Sequence, residues 1–183
     1  MKQLDLIAQS KNKKEHGGSL AIGKRKAQRP LSIKRPIHLV LKSPFAVGPR
    51  SLMRHRPLIE KIVARSKKRF GVRVYEVAIV SNHRHLLVKG FSRIDLQNFF
   101  RVVAGHIAQE ILRLFPIREK EKQQLGGAPQ SKENKFWQSR IYSRIVTWGR
   151  EYVSVKSYVV QNTLEALALI PYKERKRRNR STA

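Results

Sequence analysis

Residues 72–89, "VRVYEVAIVSNHRHLLVK", decide the fold class. Two runs rich in β-branched and aliphatic residues, 72–80 and 83–89, flank Ser81-Asn82, a pair suited to a tight turn. The stretch predicts two adjacent antiparallel strands. Side chains alternate between the faces of a strand, so His83 and His85 share one face and Arg84 takes the other. Two imidazoles on one face are either metal ligands or ordinary polar residues at a strand entrance. The His-x-His pattern alone does not choose.

Working outward, "RPIHLVLKS" (35–43) reads as the first strand. Residues 56–71 place Leu58, Ile59, Ile62, Val63 and Phe70 at helical spacing and stop at Gly71. A long helix is predicted over 93–115, with Ser92 as its N-cap and Asp95 in its first turn. "FWQSRIYSRIVTW" (136–148) reads as a fourth strand carrying Arg140, Tyr142 and Arg144 on one face. A last helix covers 150–169. The order β-α-β-β-α-β-α predicts an α+β fold, a ferredoxin-like antiparallel sheet with its helices on one face. This domain, 35–170, follows a flexible basic arm (1–34) and precedes a basic tail (171–183). Residues 116–135 form a long polar connection.

Charge narrows the partner. Forty Lys and Arg against 12 Asp and Glu give a formal net charge of +28. That excess calls for a polyanion, and nucleic acid leads because each neutralised phosphate releases condensed counterions. The basic residues are spread along the chain, which argues against a membrane-surface helix. No run of 18 apolar residues occurs, so no transmembrane helix is expected. The chain contains no cysteine, excluding disulfides and thiolate metal sites. A cytoplasmic, nucleoid-associated protein is the expectation.

The final helix, "REYVSVKSYVVQNTLEALAL", changes the weight of the histidines. At 100° per residue, Glu151, Ser154, Tyr158, Gln161, Asn162 and Glu165 form a polar arc. Tyr152, Val153, Val159, Val160, Leu164 and Leu167 form the opposing stripe, which is expected to face the core. Two imidazoles and an amide oxygen could hold a divalent cation and leave positions open for phosphate oxygens. A phenol has an ordinary pKa of about 10 and needs a nearby cation to act as a nucleophile at neutral pH.

"SNHRHLLVKG" followed by "SYVVQN" resembles the single-tyrosine transposases of the HUH endonuclease superfamily, the insertion-sequence-200-like class. It is similar in particular to the branch of REP-associated tyrosine transposases. The resemblance covers about residues 35–170. It implies that His83 and His85 are the metal-binding pair, Tyr158 the nucleophile and Asn162 the third ligand, with Gln161 the alternative amide. It also implies a metal-dependent endonuclease and strand transferase, acting on single-stranded or hairpin DNA through a covalent 5′-phosphotyrosine. The cofactor would be Mg²⁺ or Mn²⁺. Arg140 and Arg144 would follow the DNA backbone, and Tyr142 and Trp137 could stack on bases, although strand packing is the simpler role for Trp137. Monomer and homodimer both stay open. The alternative is a domesticated, non-catalytic DNA- or RNA-binding protein of the same fold. A ribosome-associated basic protein would explain the charge but leave the two motifs as coincidence.

Overall fold

The computed structural model describes residues 15–17, 29–118, 136–138 and 141–174. Its elements are β1 (Glu15–His16), β2 (Ile37–Lys42), α1 (Arg56–Arg69), β3 (Arg73–Ile79), β4 (His83–Lys89), α2 (Arg93–Leu114), β5 (Tyr142–Ile145) and α3 (Arg150–Ala166). One sheet holds the strands in the order β1-β5-β2-β4-β3, every pair antiparallel. β3 and β4 form the expected hairpin. β2 pairs with β4 rather than β3, so β2 and β3 run the same way with β4 between them. That is the split β-α-β arrangement of ferredoxin-like sheets, with α1 as the crossover.

The two faces of the sheet bury different residues. Ile37, Leu39, Leu86 and Val88 meet Ile59, Ile62 and Val63 of α1 and Leu96, Phe99, Val103, Ile107 and Ile111 of α2. The helical residues recur at the three- and four-residue spacing that makes one apolar stripe. α1 ends just before Gly71, whose φ of 59° is costly for a residue with a Cβ. α2 starts at Ser92, whose hydroxyl oxygen accepts hydrogen bonds from the backbone N–H groups of Ile94 and Asp95. Gly90 permits the tight entry into α2: a Cβ there would lie 2.5 Å from Leu96 Cγ.

The helices do not all share a face, contrary to expectation. α3 packs on the opposite side, where Val155 and Val159 meet Ala78 and Leu87. The Thr163 hydroxyl donates to the Val77 carbonyl at 3.2 Å. A bulge between Val74 and Glu76 adapts β3 to both layers. Val74, Val77 and Ile79 pack on the first core, whereas Tyr75 and Ala78 pack toward α3. One extra residue has shifted the alternation. This second face carries histidines, lysines and Arg144 among few apolar residues, and so reads as solvated in the sequence.

The fourth strand is shorter than expected, Tyr142–Ile145 rather than 136–148. Phe136 is instead buried in the first core, and Trp137 donates its indole N–H to the Ala104 carbonyl at 2.8 Å. Trp137 is therefore a packing residue. Within the predicted arm, Glu15–His16 pairs with β5 at the sheet edge. The carbonyls of Arg29 and Leu31 accept from Arg93 on α2. Most of the arm, the connection after 118 and the basic tail after 174 lie outside the described residues. No helix among the described residues is long and apolar enough to cross a membrane.

Candidate functional site

Strand register assembles the site. β4 turns His83, His85 and Leu87 toward the α3 face, while Arg84, Leu86 and Val88 point into the first core. On β2 the residues opposite are Lys42 for His83, Val40 for His85 and His38 for Leu87. β5 adds Tyr142 opposite Val40 and Arg144 opposite His38. Directly opposed residues project to the same side. Of the predicted DNA-contact residues, Tyr142 and Arg144 thus share the histidine face. Arg144 lies 3.6 Å from the Glu151 carboxylate, which also accepts from the Thr147 backbone N–H and hydroxyl. Arg140 lies outside the described residues.

Three imidazoles gather where sequence reasoning placed two. His38 Nε2 and His85 Nδ1 are 3.1 Å apart, with ring planes inclined by 13° and centroids separated by 5.3 Å. The His83 ring meets His85 edge-on, centroids 5.0 Å apart. His83 Nδ1 lies 2.8 Å from Asn82 Oδ1. An amide oxygen only accepts, so this nitrogen carries a proton, and in the neutral ring Nε2 then has the lone pair. His38 is buried. Burial first, and the neighbouring Arg144 second, push its pKa down to about 4, so the ring is neutral at pH 7. His38 stands in plain view in "RPIHLVLKS". Only the β2–β4 register, invisible in the sequence, brings it to His85.

α3 completes the cluster. The Tyr158 ring lies edge-on to His85 with centroids 5.4 Å apart, and to His38 at 6.2 Å. Tyr158 is half-buried, at the margin of the packed helical face rather than at the centre of a solvated arc. The predicted core stripe is rotated: Val153 is 61% exposed and Leu167 is also exposed, whereas Asn162 is 4% exposed. Asn162 donates from Nδ2 to the Tyr158 carbonyl at 2.6 Å, one turn earlier. Its Oδ1 accepts no hydrogen bond among the described residues. Gln161 donates to Glu165 along the helix at 2.8 Å. Tyr152 packs beside Tyr75 and Trp148 instead. Its phenol pKa is raised by burial and by the nearby Tyr75 and Glu76, which disfavours phenolate.

Among the described residues, no group of three or more His, Cys, Asp and Glu side chains could hold a metal ion. A cation here would need the Asn162 amide oxygen beside His83 and His85. Nitrogen and neutral oxygen donors suit Mn²⁺ and tolerate Mg²⁺.

Residues 50–162, more than half of the chain, match the family model described as transposase IS200 like. The fold is similar to that of a REP-associated tyrosine transposase solved bound to a REP hairpin. The likeness has a TM-score of 0.53 at 10% identity and covers 78% of this chain and 74% of that one. A structure from Deinococcus radiodurans R1, whose transposase assignment is provisional, aligns at 13% identity and a TM-score of 0.43. That alignment covers 76% of this chain and 98% of the other. No curated protein matches. At these identities the structural likeness concerns the fold.

Proposed function

Because this chain belongs to the family of IS200-like transposases, we propose that it cuts and rejoins single-stranded or hairpin DNA with Tyr158 as nucleophile. The observation that carries this reading is the edge-on contact between the Tyr158 and His85 rings. His83, His85 and Asn162 would hold a divalent cation. When bound, it supplies positive charge that favours phenolate and polarises the scissile phosphate.

The remaining chemistry belongs to the chain. Tyr158 gives its phenol proton to water, Oη attacks phosphorus, a P–Oη bond forms, and the P–O3′ bond breaks. The 3′ oxygen leaves and takes a proton from water, giving a 5′-phosphotyrosine and a free 3′-OH. Rejoining reverses the exchange of bonds, so no nucleoside triphosphate is consumed. The Asn162–Tyr158 hydrogen bond ties the third donor to the turn of helix that carries the nucleophile. Packing of α3 on β3 and β4 fixes that turn over the sheet. Arg144, steadied by Glu151, offers its guanidinium to the DNA backbone on the same face. The Tyr158 ring lies edge-on to His85 and His38 of the same chain, which supports a site built within one chain. A DNA partner is supported by the basic charge and by the hairpin-bound structural neighbour.

Incubating the protein with end-labelled single-stranded DNA and Mn²⁺, then running a denaturing gel, tests the reading. A labelled protein–DNA adduct that EDTA prevents is the expected result. Tight binding with no adduct for any DNA carrying the recognised site would instead leave a non-catalytic binder.

A further inference from the structure

We propose that His38 is a positioning residue: it accepts the Nδ1–H of His85, so that His85 offers Nε2 to the metal. This inference rests on the metal-dependent reading above.

His38 Nε2 and His85 Nδ1 stand 3.1 Å apart, at hydrogen-bond distance, and a hydrogen bond there needs one proton between them. If His38 donates, neutral His85 must carry its own proton on Nε2 and has no lone pair there. If His38 accepts, His85 is protonated on Nδ1, and Nε2 carries the lone pair that a ligand requires. The second arrangement matches His83. Its Nδ1 lies at hydrogen-bond distance from Asn82 Oδ1, which in the neutral ring selects the same tautomer. With His38 as acceptor, both histidines offer the same nitrogen from the same face of β4.

Position favours this role. His38 is 7% exposed, fixed on the central strand β2, and nearly parallel to the His85 ring. A ring so confined sets the plane of its partner. It also meets the Tyr158 ring, so one side chain touches both the proposed ligand and the proposed nucleophile. Hydrogen bonds to the far nitrogen of a ligating histidine fix its tautomer and raise its basicity, and their loss weakens metal affinity by about 10–100-fold.

The test compares His38→Leu, which fills the volume without an acceptor, with His38→Gln, whose amide oxygen can accept. Mn²⁺ affinity of the DNA-free protein is measured by calorimetry, folding by thermal melting, and the His85 tautomer by ¹⁵N NMR of the metal-free wild type. His38→Leu should bind Mn²⁺ about 10–100-fold more weakly while still melting cooperatively. His38→Gln should recover most of that loss. The wild-type His85 should be protonated on Nδ1. Wild-type Mn²⁺ affinity in a folded His38→Leu variant, or a wild-type His85 protonated on Nε2, overturns the proposal. Should the wild type bind no Mn²⁺, the metal reading fails, and the tautomer measurement still decides what His38 does. Should His38→Leu not fold, His38→Gln and the tautomer decide it.

Discussion

Arg84 shows how far a single residue can be read. Alternation along "HRHLLVK" correctly turns it away from the histidines, but it then enters an apolar core. It is 1% exposed, lies opposite Leu41 and Ile79, and has no hydrogen-bond or ion-pair partner among the described residues. Burial pushes its pKa down to about 9, still above neutral, so the cation bears the cost of desolvation at pH 7. Replacing even a buried ion pair with well-packed apolar residues is often neutral or stabilising by about 1–4 kcal/mol, and an unpaired cation offers less to lose. Arg84→Leu is therefore expected to raise stability in urea unfolding and leave the histidine face intact. A loss of stability would mean that the guanidinium contributes something the packing does not reveal. Asn162 and Gln161 differ as sharply. Asn162→Ala should raise the Mn²⁺ concentration needed for half-maximal cleavage, and Gln161→Ala should leave it unchanged, because Gln161 is committed to Glu165. Sequence alone left these two neighbours open, since the helical arc contains both.

At the scale of elements, the existence and order of β2 through α3 were legible, whereas the short edge strand β1 and the orientation of α3 were not. The hairpin, the capped start of α2 and the glycine stop of α1 depend on local chemistry, so the sequence displays them. The rotation of α3 depends on what it packs against. Hydrophobicity alone favours Val153 and Leu167 as core residues. The sheet face below α3 carries imidazoles, and it buries Asn162 with Val155 and Val159 instead. This yields a pair of stability measurements. Val159→Ala, at a fully buried position, should cost about 1–3 kcal/mol, and Val153→Lys no more than about 0.5 kcal/mol. Equal costs would restore the predicted stripe. Strand β5 was overestimated for a related reason. Phe136 and Trp137 have strand-like side chains, but their apolar surface is taken up by α2 and the first core.

For the whole molecule, charge predicts behaviour that no single contact does. A net charge of +28 on 183 residues should make single-stranded DNA binding fall steeply with salt. The expected logarithmic slope is about −0.7 for each phosphate contacted. A flat salt dependence, read by fluorescence anisotropy, would remove the backbone-contact account. The site is a product of the whole fold in the same sense. His83 and His85 were visible as a motif, and Tyr158 and Asn162 as one turn of a helix. That α3 crosses the second face of the sheet and brings Tyr158 to His85 depends on long-range packing, as does the presence of His38 beside both. The central claim is that Tyr158 is the nucleophile, and peptide mapping of the DNA adduct by mass spectrometry tests it most directly. The account predicts a nucleotide-bearing peptide modified at Tyr158, with adduct formation abolished by Tyr158→Phe and retained by Tyr152→Phe. A nucleotide on Tyr142 or Tyr152, or an adduct that survives Tyr158→Phe, would contradict it.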